Sequence, residues 1–258
     1  AQNRTFDSAE QIHTTNAAAA AALTRAFSEE LGRLGGRRTL RGASRDMKHA
    51  YKQLGVHPSQ LRYCIIIAFD PILRRWRYAI SYALPFGLAG AVLHFNRTSA
   101  FIVAFARRYL ALPVQAFYDD FRIIDPVFAN GSAFKRFTRT SEIIGFEFDP
   151  ARDQLPTANL LMLGNIESWK ESRRGHFMVS ATAARLEAIN VLVLACITHR
   201  ACSKSTAATL RGKLLHVAQT LPGRSGQIRY NALGSIAEGT SVGWSEDLAW
   251  ELALIIQE

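Results

Sequence analysis

The chain has 258 residues, 48% of them hydrophobic, so it carries enough apolar material for one large domain or two small ones and is not a disordered chain. Its 31 Lys and Arg against 21 Asp and Glu leave a formal net charge of +10, which favours polyanionic partners, although a plain solvated basic surface gives the same number. No apolar run reaches the roughly 18 residues that a membrane span needs and no signal peptide opens the chain, so a soluble protein of the cytoplasm or nucleus is expected, with no membrane partner. Cys64, Cys196 and Cys202 lack zinc-type spacing and read as reduced, mostly buried thiols. The absence of a Met before Ala1 suggests a piece of something longer.

In chain order, Ser8 to Leu34 is rich in Ala, Leu and Glu and predicts one or two helices, the alanine run at 17–22 being the best helix-forming stretch. Arg33, Arg37, Arg38, Arg41 and Arg45 alternate with Gly35, Gly36 and Gly42, which reads as a flexible basic connector. The run Tyr63 to Phe69 predicts a buried strand, and Arg74 to Ser81 a second, partly exposed one paired with it. Pro85 and Gly87 break that strand, and a long helix is expected from Leu88 to about Leu110. A helix over 132–144 ends at Gly145, and Phe146-Glu147-Phe148 reads as a short strand. Helices are expected over 181–195, over 206–220 with Ser205 as its cap, and over 244–256.

Between these elements, Val114 to Ile124 is an apolar, β-favouring run interrupted by Asp119 and Asp120. It predicts a hairpin with the two carboxylates at its tip, because Asp tolerates the left-handed backbone of a tight turn. Like charges that close raise each other's pKa unless a cation compensates them, so the pair is either a plain hydrated turn or part of a metal site.

Three stretches together carry a resemblance. Asp46-Met47-Lys48-His49-Ala50-Tyr51-Lys52-Gln53, leaving through Val56-His57-Pro58, resembles the first catalytic motif of retroelement reverse transcriptases. Leu84-Pro85-Phe86-Gly87 resembles the second motif, and Phe117-Tyr118-Asp119-Asp120 the third. Leu163-Gly164 is similar to the family's primer-grip turn, and Leu210 to Leu215 with Gly223-Arg224 resembles the thumb of DIRS-like elements.

The resemblance implies an α+β fold. A truncated fingers-like segment would occupy 1–45, a palm with an antiparallel sheet backed by helices 46–165, and a mainly helical thumb-like subdomain 166–258. It implies template-directed DNA synthesis on an RNA or DNA template with its primer, by transfer of a nucleotide from a dNTP to the primer 3'-hydroxyl. That reaction is driven by positioning and charge neutralisation, and two Mg2+ ions, or Mn2+, supply the latter through hard oxygen ligands.

By the same resemblance Asp46 and Asp119 bridge the metals with Asp120 nearby, and Met47 offers its backbone carbonyl. Tyr51 closes the sugar pocket against a 2'-hydroxyl. Phe86 and Gly87 lie under the incoming nucleotide, with Lys48 and Gln53 close by. Tyr118, Leu163, Gly164, Arg211, Lys213 and Arg224 would contact nucleic acid. Where relatives place a lysine to protonate the pyrophosphate, Arg152 is the nearby cation, and a guanidinium is too weak an acid for that task. Two other readings stay open: a remnant that binds nucleic acid without synthesis, and an unrelated binding protein whose Asp-Asp is only a turn.

Overall fold

The computed structural model describes residues 15–218, 230–241 and 243–257. The described chain forms two compact units, the first from residues 15, 23–160 and 169–175 and the second from 16–22, 161–168 and 176 onward. The class is α+β, as the sequence implies. Among the described residues no helix is long and apolar enough to cross a membrane.

The first unit is organised by an antiparallel sheet of four strands in the order β4-β5-β1-β6. These are β1 (Leu40–Asp46), β4 (Val114–Phe117), β5 (Asp120–Pro126) and β6 (Gln154–Thr157). The part of the expected basic connector from Leu40 onward is therefore a central strand, while 34–39 stay irregular. Propensity misleads here because the glycine is used for packing: an added Cβ on Gly42 would lie 2.2 Å from the Trp169 ring. Trp169 is fully buried, its amide donates to the Ala158 carbonyl (2.8 Å) and its indole to Thr24 Oγ1 (3.2 Å).

Strand alternation then divides β1 between two faces. Ala43 and Met47 join Phe121, Ile123, Phe134, Phe137 and Phe148 in one core, covered by α2 (Ala89–Leu110) and α3 (Ser132–Ile143). Arg45 points the same way, and a buried guanidinium needs a partner. It finds Asp153 at 3.0 Å and stacks over Phe148 at 4.8 Å.

The strands expected around Tyr63 and Arg74 form a separate two-stranded ribbon, β2 (Ile65–Asp70) and β3 (Arg75–Ile80). Their pairing matches expectation but the environment of β2 does not: it is solvent-exposed rather than buried, with Ile67 at 56% and Phe69 at 51% of full exposure. Register gathers Ile65, Ile67, Phe69, Trp76, Tyr78 and Ile80 on one face of the ribbon. The expected strand at Phe146–Phe148 is a single bridge between Met47 and Phe148.

The second unit contains β8 (Asn165–Ser168), β9 (Met178–Ala181) and the last two residues of β7 (Asn159–Met162), strands that follow one another as a meander. Its helices include α4 (Ala183–His199), α5 (Lys204–Ala218), α6 (Asn231–Glu238) and α7 (Glu246–Gln257). Ile189, Val193, Leu210, Leu214, Leu233, Leu248 and Leu252 form their shared core. Ser203, not Ser205, caps α5, its hydroxyl accepting the Thr206 amide at 3.1 Å. All three cysteines are buried and free. Helix α1 (Ala17–Arg33) holds the alanine run.

Gly42→Ala is expected to destabilise the protein by about 1–3 kcal/mol, since Trp169 cannot retreat without losing its buried bonds. The measurement is chemical denaturation, compared with Gly212→Ala, where an added Cβ meets nothing within 4 Å.

Candidate functional site: an acidic strand pair beside an aromatic stack

The pairing of β1 with β5 places Asp46 directly opposite Asp120. Opposed residues of an antiparallel pair share a face, so the two carboxyls project from the same side of the sheet. The hairpin between β4 and β5 pairs Phe117 with Asp120, so its tip is Tyr118-Asp119 and not Asp119-Asp120. Tyr118 takes the left-handed conformation, with φ at 53°. An aromatic side chain there carries local strain, and the turn is held by its docking: the Met47 amide donates to the Asp119 carbonyl at 3.0 Å.

Electrostatics follow from this convergence. The Asp120 carboxyl is pushed up to about 6, first by desolvation and then by Asp119 and Asp46, with Arg152 pulling the other way. Asp119 is also raised, mainly by desolvation, with Asp46 adding to the shift. Arg152 donates to Asp46 Oδ2 at 2.9 Å and lies 3.8 Å from Asp149 Oδ2. Its position on Asp46 was not legible from motif spacing; the signal available in the sequence was the Arg152-Asp153 dipeptide, which repeats Arg45-Asp46 and complements it when the two segments run in opposite directions.

Beside the carboxylates lies an aromatic group. Tyr51 stacks on Phe95 with centroids 4.6 Å apart at 16°, and tilts against Phe86 at 4.6 Å and 42°. Burial raises the Tyr51 phenol, with Tyr118 and Asp119 adding to the shift. The first two motifs are tied by backbone: the Leu84 amide donates to the Leu54 carbonyl (2.9 Å) and the Val56 amide to the Tyr82 carbonyl (2.9 Å). Phe86 is largely exposed, and Gly87 follows with φ at 88°. Phe95, on α2, is a member of the stack that no motif announced.

The remaining expected residues divide. Gln53 is spent on the fold, its amide group donating to the Glu147 carbonyl (2.7 Å) and accepting from the Glu147 amide (2.9 Å). Lys48 lies 3.9 Å from Glu147. The Met47 side chain is buried and its carbonyl accepts from the Ala50 amide (3.3 Å).

Within the second unit, Leu163 (φ 52°) and Gly164 (φ 72°) form the tight turn between β7 and β8. The Leu163 carbonyl is 2.9 Å from His216 Nε2, and the Gly164 carbonyl accepts from Arg185 at 2.8 Å. Arg211 is paired with Glu238 at 2.7 Å, Lys213 is half-buried on α5, and Arg224 lies outside the described residues.

Asp46, Asp119 and Asp120 are the hard anionic oxygen donors that a divalent ion of the Mg2+ type takes, and their mutual repulsion gives them reason to accept one. The donor chemistry fits. Among the described residues, however, no three His, Cys, Asp or Glu side chains are already gathered into a metal-holding group.

By its similarity to solved structures the fold is of the nucleic-acid polymerase-like class. More narrowly, it is a reverse-transcriptase-like fold. The chain superimposes over 99% of its length on a foamy viral protease-reverse transcriptase in complex with double-stranded DNA, at TM-score 0.65 and 12% identity, covering 39% of that chain. A second dsDNA complex matches at 0.63 and 11% identity over 99% of this chain and 46% of that one. The RNA/DNA hybrid complex matches at 0.61 and 11% over 86% and 27%. The chain thus spans less than half the length of these proteins. No family model matches, and neither does any curated protein.

Metal-free Asp120→Asn is expected to be more stable than the parent above pH 6. A folded-state pKa of about 6 against an ordinary 3.8 means that ionising Asp120 costs stability as pH rises between those values, and costs nothing below them. After discounting for partial solvent access the gain is on the order of 1 kcal/mol. Thermal melts in EDTA at pH 8 and pH 4 check it, the difference vanishing at the lower pH.

Proposed function

We propose that the chain is the polymerising portion of a retroelement reverse transcriptase, catalysing RNA- or DNA-templated DNA synthesis from dNTPs at a primer 3'-hydroxyl. The observation that carries this reading is the register that sets Asp46 against Asp120, with Asp119 at the adjoining turn and the Tyr51–Phe86 pair beside them. The reverse-transcriptase-like fold supports it, and so do solved neighbours that hold double-stranded DNA or an RNA/DNA hybrid. The narrower DIRS-like affiliation rests only on the sequence resemblance of Leu210 to Leu215 with Gly223-Arg224.

In this reading Asp46, Asp119 and Asp120 hold two Mg2+ or Mn2+ ions, with the Met47 carbonyl as a further ligand. When bound, the metals lower the pKa of the attacking hydroxyl and neutralise the triphosphate. The protein's own groups position. The Tyr51 ring, backed by Phe95, presents a flat wall to the sugar, where a 2'-hydroxyl would collide. Phe86 and Gly87 support the nucleotide, and Lys48 is free enough of packing to reach a phosphate. Tyr118 and the Leu163-Gly164 turn contact the primer strand. Arg211, once its bond to Glu238 opens, contacts phosphates in a sequence-tolerant way, as do Lys213 and Arg224.

A second reading, a remnant that binds nucleic acid without synthesis, is favoured by one observation: Asp46 is engaged by Arg152 instead of standing open beside its neighbours. Primer extension on an RNA template with Mg2+ and dNTPs separates the two. Synthesis that falls by roughly a hundredfold or more in Asp119→Asn supports the polymerase. Salt-sensitive template binding with no extension supports the remnant. In an active enzyme, Tyr51→Ala is expected to raise ribonucleotide incorporation relative to deoxynucleotide by about tenfold or more, through loss of the steric wall; competing dNTP and rNTP incorporation on one primer reads it out.

A further inference from the structure

Two Arg-Asp dipeptides, Arg45-Asp46 at the end of β1 and Arg152-Asp153 in the turn that leads into β6, face each other in opposite chain directions, so each arginine meets the other's aspartate. Arg45 bonds Asp153, and Asp46 bonds Arg152. The two pairs differ in their access to water. The first is almost fully buried, with side chains 6% and 12% exposed, and is pinned under Phe148 and Phe134. Such a pair stays closed, since opening it would strand a charge in the interior. In the second, the Arg152 side chain is 69% exposed while Asp46 is 15% exposed. An ion pair this open to solvent is weak and exchangeable.

The backbone around Arg152 is nevertheless preset. The Asp149 amide donates to the Asp46 carbonyl (2.9 Å), the Ala151 amide to Asp149 Oδ1 (3.1 Å), and the Arg152 amide to the Asp149 carbonyl (3.0 Å). The turn is therefore fastened to the residue whose carboxylate Arg152 occupies, and only the side chain is free to swing. Arg152 is also the cation that offsets the raised carboxyls of both Asp119 and Asp120.

We infer that Arg152 is an exchangeable counter-cation of the acidic cluster: its guanidinium holds Asp46 in the metal-free protein and gives it up when a divalent ion binds. This rests on reading Asp46 as a metal ligand. Arg152 is then a positioning residue. It keeps the Asp46 carboxylate oriented on its strand between catalytic cycles, and it sets a threshold for metal entry.

The test uses the full chain with Mn2+ alone, without nucleotide or primer, following free Mn2+ by electron paramagnetic resonance. Arg152→Ala is expected to bind roughly two- to fivefold more tightly than the parent, the range that an exposed ion pair can oppose. Arg152→Lys, which keeps the charge, is expected to return most of the way to parental affinity. A second readout is a Mg2+ titration by nuclear magnetic resonance. The Arg152 Nε–H signal should shift, and its guanidinium rotate faster, over the same concentrations that move the Met47 and Asp120 amides. Parental binding with unchanged affinity in Arg152→Ala, or an Arg152 signal that stays still while metal binds, overturns the inference and leaves the metal-site reading standing. Absence of binding in both parent and variant overturns the two together.

Discussion

The register between β1 and β5 is the constraint on which the first unit depends. A strand alternates faces at every residue, so a slip of one position would drive Asp46 into the core of Phe121 and Phe137 and expel Arg45 from its stack. Two features hold the register. Gly42 alone leaves room for the Trp169 ring, and Arg45 has its only buried partner, among the described residues, in Asp153. Breaking a buried pair of that kind costs about 3–5 kcal/mol, far more than an exposed pair contributes. The geometry of the acidic cluster is thus secured by contacts on the strand positions that flank Asp46.

Strain and unfavourable charge are concentrated where that security is greatest. Tyr118 sits in the left-handed region, Asp120 carries a carboxyl raised to about 6, and Arg152 offsets part of the repulsion. A protein selected for stability alone would remove each of these. They lie beside the half-buried Tyr51 and the exposed Phe86, an arrangement that fits the proposed binding of a cationic ligand and a planar substrate.

How much was legible beforehand varied with the kind of signal. The three motifs placed Asp46, Tyr51, Phe86 and Asp119 in one reading, and the structure brings those residues into one neighbourhood. The glycine-rich basic stretch misled, because Gly42 looks like a flexible hinge until the tryptophan above it is seen. The run Tyr63 to Phe69 misled in the opposite direction: continuous apolarity reads as burial, yet β2 and β3 form a ribbon with an exposed apolar face. The turn was placed one residue late, because Asp favours the left-handed backbone that Tyr118 in fact takes.

Local chemistry by itself determined the helices other than α6, the apolar strands, the hairpin around the Asp pair and the order of the three motifs, since propensity, periodicity and residue type act over a few neighbours. Tertiary structure decided the rest. It turned half of a basic linker into a central strand, bonded Gln53 to the Glu147 backbone, added Phe95 to the aromatic stack and set Arg152 on Asp46. Each of these is a contact between segments far apart in the chain, and no local pattern encodes which distant partner will pack against a residue or neutralise its charge.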